Sequence, residues 1–401
     1  MANGIYKRGK GYVVVIPWGK DAAGKYLQKW FSGFPTIAEA KAHRAKMLNL
    51  REQGGEVAST RLTVGAYLNQ WMIGHAPHLS PVTAESYRST IRVHLTPALG
   101  PIKLRQLGPE PIRHYVTDKL AAGKSATTVR YHLTVLREAI QQAVRDGLLV
   151  RNWVDNVTRP KKQWKEMQVL DEEQIRLFLA EAKRSSKHYR LYLAALLTGM
   201  RQGELLGLRW RDLELTLGVA SVQQTFYRLN GKGIPAEDKQ LFKAPKTEKA
   251  RRTVDLPAVL VEELRTLRDE QTVIRKDFGP LYHDHGLVFC QMDGKPLHVH
   301  NIVRRDFRRV LALKGLRAEL LTKGVTEDAL PKGLPRIRFH DLRHSHATLL
   351  FQQGEHPKVV QERLGHSTVS MTLDIYSHSV PGMQRQAAAQ LGERLFRTTP
   401  S

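Results

Sequence analysis

The hydrophobic pattern changes period along the chain. Tyr12–Trp18 is a run of β-branched and aromatic residues, Gly19–Gly24 supplies turn chemistry, and Lys25–Phe31 reads as a returning strand. Thr36 follows Pro35 and stands three residues before Glu39, a capping-box signature for a helix from Ile37 to about Glu52. From Thr63 to about Asp146 the spacing is helical. Thr63 caps a helix through Trp71, Ser80-Pro81 opens a second to about Leu95, and Pro109–Leu120 is a third. Ser125 starts a fourth, with Val129, Leu133, Leu136, Ile140 and Val144 on one face and Gly147 at its close. The polar stretches Gly54–Thr60 and Val150–Lys165 read as linkers. Asp171 with Gln174 forms another capping box, and from there to Gln390 helices alternate with short strands, clearest at Val219–Phe226 and Arg252–Leu256. The pattern predicts an α+β multidomain chain without internal repeats.

Charge narrows the partners. Lys+Arg number 63 and Asp+Glu 38 in 401 residues, a formal net charge of +25. Such a chain is attracted to polyanions, nucleic acid first and an anionic membrane surface second. The most apolar run, Leu191–Met200, is far shorter than the ~20 residues that span a bilayer. The N-terminus lacks a secretory pattern. The single cysteine, Cys290, excludes an intrachain disulfide and a Cys-rich zinc site, and fits a reducing cytoplasm. A cytoplasmic nucleic-acid binder without a membrane partner is expected. In the first strands Lys7, Arg8, Lys10, Lys20, Lys25 and Lys29 are interleaved with Tyr12, Trp18, Tyr26 and Trp30, and Asp21 is the one acid among them. The aromatics could form a miniature core under solvated lysines. A sheet face laid on phosphates accounts better for so one-sided a charge. Arg88, Arg92, Lys103, Arg105, Arg130 and Arg137 give the helical stretch basic surfaces, which a merely solvated bundle would also carry.

Four segments of the last region carry candidate chemistry. In Thr198-Gly-Met-Arg201-Gln-Gly-Glu204 an arginine stands between two helices, either held rigidly or simply paired with Glu204 one turn on. Lys243–Pro257 reads as a hairpin with lysine at its tip, which matters only if the tip folds against a substrate. In Arg338-Phe-His340-Asp-Leu-Arg343-His344, a helix would set His340, Arg343 and His344 on one face. His340-Asp-x-x-His344 resembles a zinc helix with Asp for Glu, but Arg343 on the same face would repel the cation. Leu364-Gly-His366 is followed ten residues later by Tyr376, a position that by itself suits a packing residue.

Together these groups are the parts for metal-free transesterification at a phosphodiester. Guanidinium groups grip non-bridging oxygens and stabilise the five-coordinate phosphorus. A phenol can attack as covalent nucleophile, though its ordinary pKa of ~10 calls for a cationic setting or a base. The departing 5′-oxygen needs a proton, which a lysine can give. No cofactor or metal is called for.

The set Thr-Gly-Met-Arg-Gln-Gly-Glu, His-Asp-Leu-Arg-His and Leu-Gly-His…Tyr resembles the tyrosine recombinase (phage integrase) family, over essentially the whole chain. The resemblance implies a small three-stranded β-sheet plus helix over 1–55 that binds arm-type DNA sites. It implies a four-helix, SAM-like core-binding domain over 62–150, and over 166–401 a mainly α catalytic domain with a small antiparallel sheet and a C-terminal helix. Arg201 and Arg343 would bind the scissile phosphate and His366 would hydrogen-bond it. His340 would serve in acid–base work or orient the nucleophile, and Tyr376 would form the 3′-phosphotyrosine bond. Lys246 would protonate the leaving 5′-hydroxyl. Ala250 stands where the family pattern has serine, so Lys249 and Lys243 remain alternatives. Ala318–Lys332 reads as extra loop length before His340. The implied activity is integration and excision of a phage or other mobile element. The implied partners are double-stranded DNA with core and arm attachment sites, a homotetramer on that DNA, an excisionase and a DNA-bending helper. Met383, Ala387, Leu391 and Leu395 form an apolar stripe that would dock on a neighbouring subunit or on its own domain. A type IB topoisomerase, which reseals the same strand, and a non-catalytic DNA-binding protein on the same fold are the rival readings.

Overall fold

The structure, a computed structural model, describes residues 4–9, 11–20, 26–52, 61–162, 167–229, 240–243, 251–376, 388–389, 391–392 and 395. The described residues fall into two compact units, one of positions 4–162 and the other of positions 167–395.

The first unit holds two separate cores. Strands β1 (Ile5–Arg8), β2 (Gly11–Lys20) and β3 (Tyr26–Phe34) form an antiparallel meander in the order β1-β2-β3. Helix α1 (Ile37–Glu52) packs on one face of it, where Val14, Ile16, Ala40 and Met47 are buried. The predicted box is present at its start, with the Glu39 N–H donating to Thr36 Oγ1 at 3.3 Å. The aromatics divide: Tyr12 packs against this core, whereas Tyr6 and Trp30 are exposed.

The second core belongs to a helical bundle of α2 (Val64–His75), α3 (Pro81–Thr90), the short α4 (Thr96–Leu99), α5 (Pro109–Ala121) and α6 (Ala126–Arg145). Thr63, Ser80 and Ser125 each accept a backbone N–H three residues on, as their N-cap chemistry requires. Two expectations need correction. Helix α2 continues past Trp71 to His75, whose ring stacks on Trp71 at 4.5 Å. The second helix does not stop at Leu95; it widens into a π-turn at Ile91–Leu95 and resumes as α4. Pro97 lacks the N–H that a regular helix would aim at Val93, and the wider turn accommodates it.

The second unit is mainly α. Helices α7 (Glu172–Ser185), α8 (Tyr189–Thr198) and α9 (Gln202–Gly207) precede strands β4 (Leu213–Glu214), β5 (Val219–Val222), β6 (Thr225–Arg228), β7 (Gln240–Lys243) and β8 (Arg252–Asp255). Then come α10 (Ala258–Phe278), α11 (Phe307–Leu311), α12 (Lys314–Thr322), α13 (Asp341–Gln352), α14 (Pro357–Leu364) and α15 (Val369–Tyr376). Both halves of the capping box at Asp171 and Gln174 are made. The expected single strand Val219–Phe226 is two strands. β5 pairs antiparallel with β8, while β6 pairs antiparallel with β7. The break falls at Gln223-Gln224, where the Gln224 amide donates to the Gly207 carbonyl at the end of α9. Consequently Lys243 and Arg252 do not pair with each other as the sides of one hairpin: Lys243 pairs with Thr225 and Arg252 with Val222. The lysines Lys246 and Lys249 between them lie outside the described residues. The expected loop Ala318–Lys332 begins as helix α12. The carboxylate of buried Glu181 accepts from the Gly315 and Leu316 N–H groups at 2.7 and 2.9 Å, a cap supplied from over a hundred residues away. Among the described residues no helix is long and apolar enough to cross a membrane. Of the terminal stripe, Met383 and Ala387 lie outside the described residues, while Leu391 and Leu395 are exposed.

Candidate active site

Three turns build the site. Apolar helix α8 buries Leu191 through Leu196 and ends at Gly199, whose φ of 62° is left-handed. A side chain here would also collide, since a Cβ would lie 2.5 Å from the ring of His346. The turn delivers Arg201 to the N-cap of α9. There the Arg201 N–H donates to Glu204 Oε2 and its Nη1 to Glu204 Oε1, both at 2.8 Å. The second turn is the start of α13, with His340 at the N-cap and Arg343 and His344 in the first turn and a half, all on the segment that the motif predicted. The third is the end of α14, closed by Gly365 at φ 66°.

The backbone carbonyls of this third turn organise the arginines. Arg363 O accepts from Arg252 Nε at 2.8 Å, Leu364 O from Arg343 Nη2 at 2.7 Å, and Gly365 O from Arg201 Nη2 at 3.0 Å. Carbonyls at a helix C-terminus have no partner within the helix and carry its negative dipole end, so they suit guanidinium groups. Arg343 is 2% exposed and is also held by the Gly199 carbonyl at 2.7 Å. It therefore ties the turn after α8 to the turn after α14. Gly365 must be glycine for a second reason: a Cβ would lie 2.9 Å from the Arg252 side chain.

Glu204 is the anionic counterpart. It is 3% exposed and accepts from Arg252 Nη2 at 2.8 Å and Nη1 at 3.2 Å, besides Arg201. Burial alone would raise its pKa. The Arg252 hydrogen bonds and charge, with Arg201 added, outweigh burial and hold it at about 2. One carboxylate thus fixes two guanidinium groups, and Arg201 keeps donors beyond the two it uses here.

The histidines of the site are biased toward the neutral form. His366 Nδ1 pairs with Thr372 Oγ1 at 2.9 Å; burial, then Arg343 and Arg201, push its pKa down to about 3. His340 is lowered by burial and by Arg343, and its ring stands edge-on to that of His344 at 5.0 Å. His344 falls to about 4 through burial and His340. His346 falls to about 3 through burial and Arg363, with Nδ1 against the Leu196 carbonyl at 2.7 Å. Each has a folded pKa below its unfolded value, so the native state binds fewer protons. Stability is expected to be full above the unfolded value of 6.5 and to fall as pH drops toward 3–4. The slope is up to about 1.4 kcal/mol per pH unit for each such histidine. Urea titrations at pH 7.5 and 5 check this, and equal stabilities would contradict it.

Of the predicted residues, Arg201, Arg343 and His366 meet at the end of α14, and His340 lies within the electrostatic reach of both arginines. Lys243 is described, on β7; Lys246 and Lys249 are not. Tyr376 ends helix α15, one element beyond His366, and its side chain lies outside the described set. Sequence reasoning missed Arg252. Its signal was an arginine opening a β-branched strand beside the apolar core, in a segment whose lysines stood out instead.

A family model described as the phage integrase family matches residues 168–382, and one described as the phage integrase N-terminal SAM-like domain matches 63–120. An integrase of Streptomyces ambofaciens is 30% identical over 97% of this chain and 95% of its own. A "tyrosine recombinase XerC-like" protein of Caldanaerobacter subterraneus is 29% identical over 96% and 97%. The fold is shared with a lambda integrase tetramer bound to a Holliday junction, at a TM-score of 0.56 and 17% identity over 93% of this chain and 94% of that one. With more than half of its length matched by the family model and nearly all of it by an integrase, the chain belongs to the phage integrase family, the tyrosine recombinases that cut and rejoin DNA at specific sites.

Proposed function

We propose that this recombinase integrates and excises a mobile element through a 3′-phosphotyrosine at Tyr376. The observation that supports it best is the pair Arg201 and Arg343, fixed by neighbouring carbonyls at the end of α14 beside His366. In the proposed step the Tyr376 oxygen attacks the scissile phosphorus and loses its proton, with His340 as base or as the group that orients the phenol. The P–O5′ bond breaks, and Lys246 gives its proton to the departing 5′-oxygen. Arg201 and Arg343 neutralise the five-coordinate phosphorus, and His366 donates a hydrogen bond to it. Attack by a 5′-hydroxyl of the partner duplex reverses the step and releases the tyrosine.

Three modules divide the work in this proposal: residues 1–55 on arm sites, 62–150 on the core site, and 166–401 in catalysis. The exposed Tyr6, Lys7, Arg8 and Trp30 support the first role, since they offer cations and flat rings on a sheet too small to need them as core. The exposed Leu391 and Leu395 support docking between subunits, hence a tetramer on DNA. An excisionase and a DNA-bending helper complete the set of proposed partners.

A two-site recombination assay tests the reading. The full chain should recombine full attachment sites. A chain starting at Ser59 should still bind and cleave core sites and should fail in integration. Integration at the full rate by the shortened chain would refute the arm role, and plasmid relaxation without recombination would favour the topoisomerase reading.

A further inference from the structure

Helices α11 and α12 and the segment leading into α13 border an open cavity of about 690 Å³. Five cations line it, Arg308, Lys314, Arg317, Arg336 and Arg338, and no aspartate or glutamate does. Two of the five are held in place: Arg317 Nη1 by the Pro331 carbonyl at 3.1 Å, and Arg338 Nη2 by Asp341 at 2.8 Å. Arg308, Lys314 and Arg336 make no side-chain hydrogen bond or ion pair among the described residues. Arg308, Lys314 and Arg336 are exposed, so the cavity presents a net positive field to solvent that, among the described residues, only Asp341, through Arg338, offsets.

Its walls are nevertheless built firmly. The Leu334 N–H donates to the Leu311 carbonyl at 2.7 Å, which fastens the segment to α11. Between α11 and α12, Leu313 is fully buried at a left-handed φ of 52°, the one non-glycine residue with positive φ among those described. A bulky side chain avoids that conformation, and strain of this kind persists where the surroundings over-determine it, often at functional sites. Leu313 joins α11 to α12, which line one side of the cavity with Arg308, Lys314 and Arg317. The other wall runs directly into the active site. Arg338 is two residues before His340, and its charge reaches both His340 and His344.

We propose that this cavity is a second phosphate site, which takes backbone phosphates of the recombining DNA away from the scissile one. The proposal rests on the recombinase reading above. Unopposed guanidinium groups form bidentate bonds with phosphate oxygens. A cavity this wide, with cations on two walls, suits successive phosphates of a strand better than one small anion. Continuity with His340 favours the bound duplex over a free polyphosphate as their source.

The test compares Lys314→Gln/Arg336→Gln with Arg176→Gln/Lys276→Gln, which removes the same charge from exposed positions on α7 and α10. Binding of a fluorescent attachment-site duplex is measured over a range of salt. The cavity variant should show a log Kobs against log [salt] slope reduced by about 0.9 for each phosphate left unneutralised, roughly 1.8 for two. The control should keep the wild-type slope. Equal slopes in the two variants would overturn the proposal. So would calorimetric binding of inorganic tripolyphosphate that the cavity variant loses while its duplex slope stays at the wild-type value. Covalent adduct formation by the wild-type protein on the same duplex, nicked, is followed in parallel. Its absence would count against the recombinase reading itself, whereas the slope comparison judges the cavity alone.

Discussion

Arg343→Ala is expected to lower strand cleavage by about 10²–10³-fold, the scale that loss of one preorganised transition-state donor sets. It should destabilise the second unit as well. Arg343 is buried, and it satisfies the Gly199 and Leu364 carbonyls at 2.7 Å each. Leaving two buried acceptors unpaired costs roughly 1–3 kcal/mol apiece. Arg343→Lys separates the two effects. It keeps the charge but cannot span both carbonyls, because a single ammonium replaces a planar fork. Covalent adduct formation on a nicked core-site duplex measures the chemistry, and thermal denaturation measures the fold. Wild-type cleavage in Arg343→Lys would show that charge alone suffices and would remove the reason for the carbonyl clamp.

The parts of this fold that were legible in the sequence are those set by neighbours in the chain. Helix starts at Thr36, Thr63, Ser80, Ser125 and Asp171 follow from side chains that bond the backbone within three residues, and α1 runs over the expected Ile37–Glu52. What escaped depends on distant partners. The Ala318–Thr322 part of helix α12 reads as loop in the sequence because the helix N-terminus is capped by distant Glu181. The strand break at Gln223-Gln224 depends on the approach of α9. The candidate site shows the same division. Arg201, His340, Arg343 and His366 were legible as motif residues. Arg252 was not, since its partners are Glu204 and a backbone carbonyl at Arg363, and a carbonyl leaves no mark on residue identity. The period-2 pattern of β8 could say that Arg252 starts a strand, but not that its side chain turns inward onto a carboxylate.

Tyr376→Phe is the second large effect. The change removes one oxygen, from the last residue of α15, and alters neither the arginines nor the residues whose carbonyls clamp them. Binding to the core site should stay within about twofold, because that much is under ~0.5 kcal/mol. Strand cleavage should fall below detection, since no other group in the proposed step can replace the phenolic nucleophile.

The most direct test is to trap the adduct on a nicked core-site duplex, digest it, and locate the DNA-bearing peptide by mass spectrometry. The account predicts a single 3′-phosphotyrosine link at Tyr376, absent from Tyr376→Phe. A link through any other residue, or an undiminished adduct in Tyr376→Phe, would contradict it.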